Sequence, residues 1–208
     1  MALTSPEFEK TLQKTTTLVL NHNREFGFVI VKEKASDKFH YSRPIGGSED
    51  DNTALSVALE EAGGALENKG LDWFRLGSLH FHGYEAGDRR LWALIPSRVD
   101  ISSALEEGEE FEIPQIEMIA SKLSKTEVMA LVYRAPATYS LFEKPAMRQE
   151  LDLTLLELWR KNGPQQEVIK ALQRYGFKAG IISFRNSKLT KESRNFIRSL
   201  GTEVETGL

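Results

Sequence analysis

Apolar runs and polar breaks alternate along the chain and predict a mixed set of elements. TTTLVLNHNREFGFVIVKE reads as two strands around a polar turn at Asn21–Arg24, with Val19, Leu20, Phe26, Phe28, Ile30 and Val31 supplying β-branched and aromatic residues. The loop PIGGSEDDN then leads into a helix over residues 53–62, where Leu55, Ala58, Leu59 and Ala62 share one face. WFRLGSLHFHGYEAGDRRLWALIPSRV reads as a hairpin, its arms at 74–84 and 90–99 and its turn at 85–88. Phe111 and Ile113 alternate with glutamates as in a short strand. Pro114 then opens a helix in which Ile116, Ile119, Ala120 and Leu123 recur at helical spacing. EVMALVYRA makes a further helix or strand. The order predicts an α+β fold with strands and helices sharing a core.

The texture changes after APATYSLFEKPAMRQ. LDLTLLELWRKNG is helical, with Leu151, Leu155, Leu158 and Trp159 on one side, and Gly163 stops it. Pro164 starts a second helix that ends at Gly176, FKAGIISF is a short strand, and LTKESRNFIRSLG is a helix capped by Thr190. The expected organisation is a domain over residues 1–145 and a small, mainly helical accessory domain over 146–208.

Charge sharpens that division. The net charge is −3, but residues 1–149 carry 17 basic against 23 acidic side chains, and residues 150–208 carry 10 against 7. Lys191, Arg194 and Arg198 form a basic stripe at helical spacing, opposite Phe196, Ile197 and Leu200, which is a candidate nucleic-acid contact surface. The chain has no cysteine, which excludes disulfides, a thiolate nucleophile and thiolate-bound zinc. No apolar run approaches the ~20 residues of a membrane span, and the polar N-terminus lacks a secretory apolar segment. A cytoplasmic protein with no membrane partner is expected.

Several side chains could carry chemistry. His80 and His82 are two apart on an expected strand and so face one side, where two imidazoles can bind zinc or move protons, though no third ligand is apparent in the sequence. Arg89 and Arg90 follow a turn and can meet phosphate, and Trp92 can stack on a base. Glu60 and Glu61 lie side by side on the polar face of the helix over 53–62, with Val57 one turn before them.

The glycine pair Gly46–Gly47, the acidic turn and Glu60–Glu61–Ala62–Gly63 resemble a Nudix box, G-x5-E-x7-R-E-U-x-E-E-x-G-U with U aliphatic. The resemblance spans residues 15–145, including the strand pair before the box, the hairpin after it and the glutamate-rich segment beyond. It implies an α/β/α sandwich with a mixed sheet and Mg2+- or Mn2+-dependent hydrolysis of nucleoside diphosphate-linked substrates. In register with Glu60–Glu61, the box arginine falls on Ser56, the next glutamate on Val57 and the early glutamate on Ser48, with Glu49 one residue away. The resemblance therefore implies a degenerate box. The expectation is a nucleotide-ligand or protein-binding module with little pyrophosphohydrolase activity, possible as a homodimer. Two alternatives stand beside it. One is a divergent hydrolase whose metal is held by Glu60, Glu61, Glu49 and Glu109 or Glu110, with Gly46, Gly47, Arg89, Arg90 and Trp92 around the ligand. The other is a ligand-sensing regulator binding nucleic acid through Lys191, Arg194 and Arg198.

Overall fold

A computed structural model describes residues 2–22, 25–46, 53–82, 94–110, 115–124, 126–135, 145–161 and 163–201. After a short 3-10 turn come α1 (Pro6–His22), β1 (Phe26–Glu33), β2 (Phe39–Tyr41), β3 (Ile45–Gly46), α2 (Thr53–Glu67), β4 (Trp73–Phe81) and α3 (Arg98–Glu110). Next are β5 (Ile116–Lys122), β6 (Glu127–Arg134), α4 (Pro145–Arg160), α5 (Gln165–Arg174), β7 (Lys178–Arg185), β8 (Lys188–Leu189) and α6 (Lys191–Gly201). The strands form one mixed sheet in the order β2-β1-β4-β5-β6-β7-β8, with β3 on β1. Among the described residues only β4 and β5 pair in parallel; the other pairs are antiparallel. The mixed α+β class expected from the sequence is the one observed.

Side-chain alternation divides the core in two. Phe28, Ile30, Leu79, Phe81, Met118, Ala120, Val132, Ile182 and Phe184 point to one face, where they pack with Phe8, Leu12 and Val19 of α1 and Ile197 and Leu200 of α6. Ile119, Leu131, Tyr133 and Ala179 point to the other and pack with α3, α4 and α5 through Ile101, Ala104, Leu151, Leu155, Val168 and Leu172. The central strands are thus buried on both faces, so their sequences are near-continuous apolar runs.

That double burial explains the largest corrections. Residues 116–122 are a strand, not a helix opened by Pro114: Ile116, Ile119, Ala120 and Leu123 also satisfy helical spacing, and a strand covered on both sides offers no alternation to contradict it. Thr15–Leu20 belong to α1, not to a strand. Phe8, Leu12, Thr15 and Val19 recur at helical spacing and are all buried. The hydroxyls of Thr15, Thr16 and Thr17 donate to the carbonyls of Thr11, Leu12 and Gln13 at 2.8, 2.8 and 2.9 Å, which satisfies these β-branched residues within a helix. The expected hairpin is also replaced. β4 pairs with β1 and β5, and Arg98–Val99 begin α3. Residues 83–93, including that hairpin's turn and the first part of its second arm, lie outside the described residues, as do Phe111 and Ile113. Residues 106–110 end α3, and EVMALVYRA resolves as strand β6.

The tail has the expected elements, and Thr190 caps α6 by accepting from the Ser193 amide at 3.4 Å. It also continues the sheet. β7 pairs with β6 from Glu127↔Arg185 to Arg134↔Lys178, and the Arg134 guanidinium donates to the Leu200 carbonyl at the end of α6, 2.9 Å away. Phe184 lies 5.8 Å from Phe8, ring to ring, so the N-terminal helix and the tail share one core. Phe184→Ala is therefore expected to lower stability by about 3–5 kcal/mol. Tryptophan fluorescence and far-UV circular dichroism should then show a single, earlier thermal transition; a tail that melts alone would give two.

Candidate metal centre

The centre starts from the register of β4. Its alternation sends Leu79 and Phe81 into the first core and Ser78, His80 and His82 to the other face. A bulge opposite Ile30 and Val31 shifts the alternation, so Arg75 joins that same face. Gly27 of β1 stands opposite His80. Two residues further along this antiparallel register, just before β1 begins, Glu25 comes level with His82, and its charge acts on His80.

The third donor comes from the start of α3. The Asp100 amide donates to Ser97 Oγ at 3.2 Å, and the Ser97 amide donates to Asp100 Oδ2 at 2.6 Å. This is a reciprocal capping box with aspartate in the glutamate's place. It fixes the carboxylate in the first turn, where the helix dipole favours negative charge, and it turns Asp100 towards the end of β4.

There the three side chains converge. His80 Nε2 and His82 Nε2 are 2.9 Å apart, His80 Nε2 is 3.2 Å from Asp100 Oδ1, and His82 Nε2 is 3.3 Å from Asp100 Oδ2. A tetrahedral ion with ligand bonds of roughly 2.0–2.1 Å places its donors about 3.3 Å from one another. Each of these contacts is near that edge length, but the two to Asp100 use different carboxylate oxygens; taken as one ligand atom from each residue, the three donors lie within 4.8 Å of one another, the one such group among the described residues. All three side chains are largely buried. His80 Nδ1 is buried without a hydrogen-bond partner among the described residues.

Electrostatics suit a cation. Burial alone would raise the Asp100 carboxyl, but the charges and hydrogen bonds of His80 and His82 outweigh it and hold the group well below its ordinary value. For His80, burial disfavours the charged ring, yet Asp100, Glu117 and Glu25 together raise its pKa. Carboxylates thus surround the imidazoles on several sides. Behind them, Arg75 and Glu117 form an ion pair at 2.8 Å with only 2% and 5% of their side chains exposed, and the Ser78 hydroxyl donates to the same carboxylate. Beside the centre opens a cavity of about 910 Å³ that reaches His82, the Ile95–Arg98 turn and α4.

The other candidate residues lie elsewhere. Glu60 and Glu61 are exposed on α2, and Glu61 accepts a two-pronged contact from Arg43 at 2.7 and 2.5 Å, which holds its carboxyl below its ordinary value. Val57 is exposed on the same helix, as its place on the polar face implied. Gly46 sits in β3 against Phe26, where a Cβ would come within 2.7 Å of the ring. Glu109 and Glu110 end α3. Gly47, Glu49, Arg89, Arg90 and Trp92 lie outside the described residues. Lys191, Arg194 and Arg198 are exposed on α6, while Ile197 and Leu200 of that helix enter the core on the far side of the sheet from His80.

Of the observed centre, the sequence gave away only the two histidines. Asp100 and Glu25 are 18 residues after and 57 residues before His82 in the numbering, so no local motif joins them. The one available signal was Ser97-x-x-Asp100 ahead of an apolar repeat, which marks a helix start. No protein-family model matches the chain, and neither does any curated protein.

The donor set predicts one zinc ion per chain after chelator treatment and reloading. His82→Ala and Asp100→Asn should each weaken binding by more than about 100-fold, the upper end of an outer-shell loss. Competition against a chromophoric chelator measures this. Asparagine keeps the cap of α3, so circular dichroism should be unchanged.

Proposed function

We propose that this protein is a metal-dependent hydrolase whose centre is His80, His82 and Asp100. The observation that carries the proposal is three converging donors, with His80 and Asp100 buried and His82 half-buried, within 4.8 Å of one another beside an open cavity. Two imidazoles and one carboxylate favour zinc, whereas magnesium prefers an oxygen shell and retains several waters. Three protein donors leave the fourth position to water, the pattern of catalytic rather than closed structural sites. An ion held there supplies Lewis acidity and a water of lowered pKa. A single ion would polarise a carbonyl or a phosphoryl oxygen, and the mainly apolar lining of the adjoining cavity favours a neutral carbonyl substrate over an anionic phosphate. The reading is therefore hydrolysis of an amide-type bond.

The chain's own groups supply the remaining steps. Glu25, level with His82 just before β1 begins, is the general base. It takes a proton from the attacking water and delivers it to the departing nitrogen. The water oxygen ends on the carbonyl carbon, the C–N bond breaks, and a carboxylate and a protonated amine leave, the amine carrying the proton Glu25 delivered and the water's second proton. The ion pair of Arg75 and Glu117, with Ser78, holds the floor on which His80 stands. Hydrolysis was also the reaction class of the divergent Nudix alternative, but this reading uses different donors, a different ion and a different bond. In it, Glu61 and Arg43 tie α2 to the segment before β3.

Zinc-loaded protein should cleave members of a library of N-acetylated, C-amidated decapeptides, with products identified by mass spectrometry. Glu25→Gln is expected to keep its zinc and lower kcat by about 10²–10⁴-fold. Turnover that survives both chelation and His82→Ala would sink the proposal.

A further inference from the structure

We propose that the exposed apolar ridge of α4, Leu153, Leu156 and Trp159, is the specificity wall of the substrate groove and selects an extended peptide with a bulky apolar side chain beside the scissile bond. This rests on the hydrolase reading and adds what that centre prefers. α4 carries apolar residues on two sides. Leu151 and Leu155 are buried in the second core, as an amphipathic helix requires. Leu153, Leu156 and Trp159 instead stay 59%, 41% and 54% exposed. They recur every three residues and form one row along the helix. All three line the 910 Å³ cavity, as does His82.

The position of this row determines what covers it. The same cavity is lined by Ile95–Pro96–Ser97–Arg98, the turn that leads into the capping box and Asp100. A molecule seated against the row therefore lies between α4 and the segment that delivers a metal donor. The two walls are tied together: Arg98 Nε is 3.3 Å from Asp152 Oδ2, and the Arg148 guanidinium bonds Ser102 and Glu106 of α3. The groove width is thus fixed by ion pairs between α3 and α4. From Leu153 to Trp159 the row runs about 9 Å at 1.5 Å per residue, roughly three residues of extended chain. An apolar substrate side chain gains by leaving water against this wall, whereas a charged one set on the row would lose hydration there, since the cavity's cations Arg98 and Arg148 are already engaged with Asp152 and with Ser102 and Glu106.

The test uses zinc-loaded Glu25→Gln full-length chain, which binds without turning over, and blocked decapeptides differing at one position, leucine or phenylalanine against aspartate. Calorimetry should show the apolar peptides binding at least tenfold more tightly than the aspartate peptides. Trp159→Ala and Leu156→Ser should each erase most of that difference while zinc content stays the same, and in the active chain they should raise KM far more than they lower kcat. Both side chains are surface-exposed, so the variants should fold. Equal binding of apolar and acidic peptides, or no binding of any, overturns the ridge proposal, even if the active chain cleaves peptides. A dimer that Trp159→Ala converts to monomer in sedimentation velocity also overturns it, because a second copy would then cover the ridge. Ridge-dependent binding with no cleavage by the active chain supports the ridge and removes the hydrolase reading instead.

Discussion

The parallel pairing of β4 with β5 is the constraint on which the site depends. Parallel neighbours cannot be joined by a tight turn; the chain must cross over and return to the starting end. Here the crossover contains α3, and its helix begins beside the carboxyl end of β4. Strand end and helix start therefore meet at one place. His80 and His82 come from the first and Asp100 from the second, and the capping box of Ser97 and Asp100 fixes the angle at which they meet. Open sheets with such crossovers commonly place their sites just beyond the carboxyl ends of parallel strands, for this topological reason.

The two faces of the sheet serve different purposes. The face under α1 and α6 is built from phenylalanine, leucine, isoleucine and methionine, with Phe8 in edge contact with Phe28 at 5.7 Å. The opposite face admits Arg75, Ser78, His80 and Glu117 within β4 and β5. Burial pushes the Glu117 carboxyl upward against the pull of Arg75 and Ser78, a sign of how far these charges are from water. Apolar residues of similar volume often serve stability as well as a buried ion pair or better. In the proposed reading the pair is a rigid support behind the imidazoles, and polar groups on a core-facing strand are where a fold departs from packing for function. Gly77 marks how tightly that support is built: a Cβ there would come within 1.8 Å of the Ile116 carbonyl oxygen, so β4 and β5 meet at a distance only glycine allows.

The helices of the tail were legible because each is covered on one side. Val168, Ile169, Ala171 and Leu172 give α5 its apolar stripe, and Gly176, in the left-handed region at φ 87°, follows its end as the sequence suggested. The β7–β8 hairpin was not foreseen. Its turn uses Asn186 and Ser187, both at positive φ, and serine is an unusual residue for such a tight turn. Glu60 and Glu61 drew attention because adjacent carboxylates on a helix look like ligands. Arg43, 18 residues earlier, engages Glu61, a pairing that chain spacing does not suggest.

By itself the sequence determined the apolar inventory, the mixed class, β1, β4, α2 and the helices of the tail, and the fact that His80 and His82 face the same side. These follow from periods of two and 3.6 residues, which are local. Tertiary structure alone decided that Thr15–Leu20 are helical, that residues 116–122 are a strand and that β7 completes the sheet. In each case the deciding contact is remote: Phe184 against Phe8, β5 between two other strands, Arg134 on the end of α6. The centre follows the same rule. Glu25, His80 and Asp100 come together through strand register and a crossover, and both are set by hydrogen bonds between segments that the chain keeps far apart.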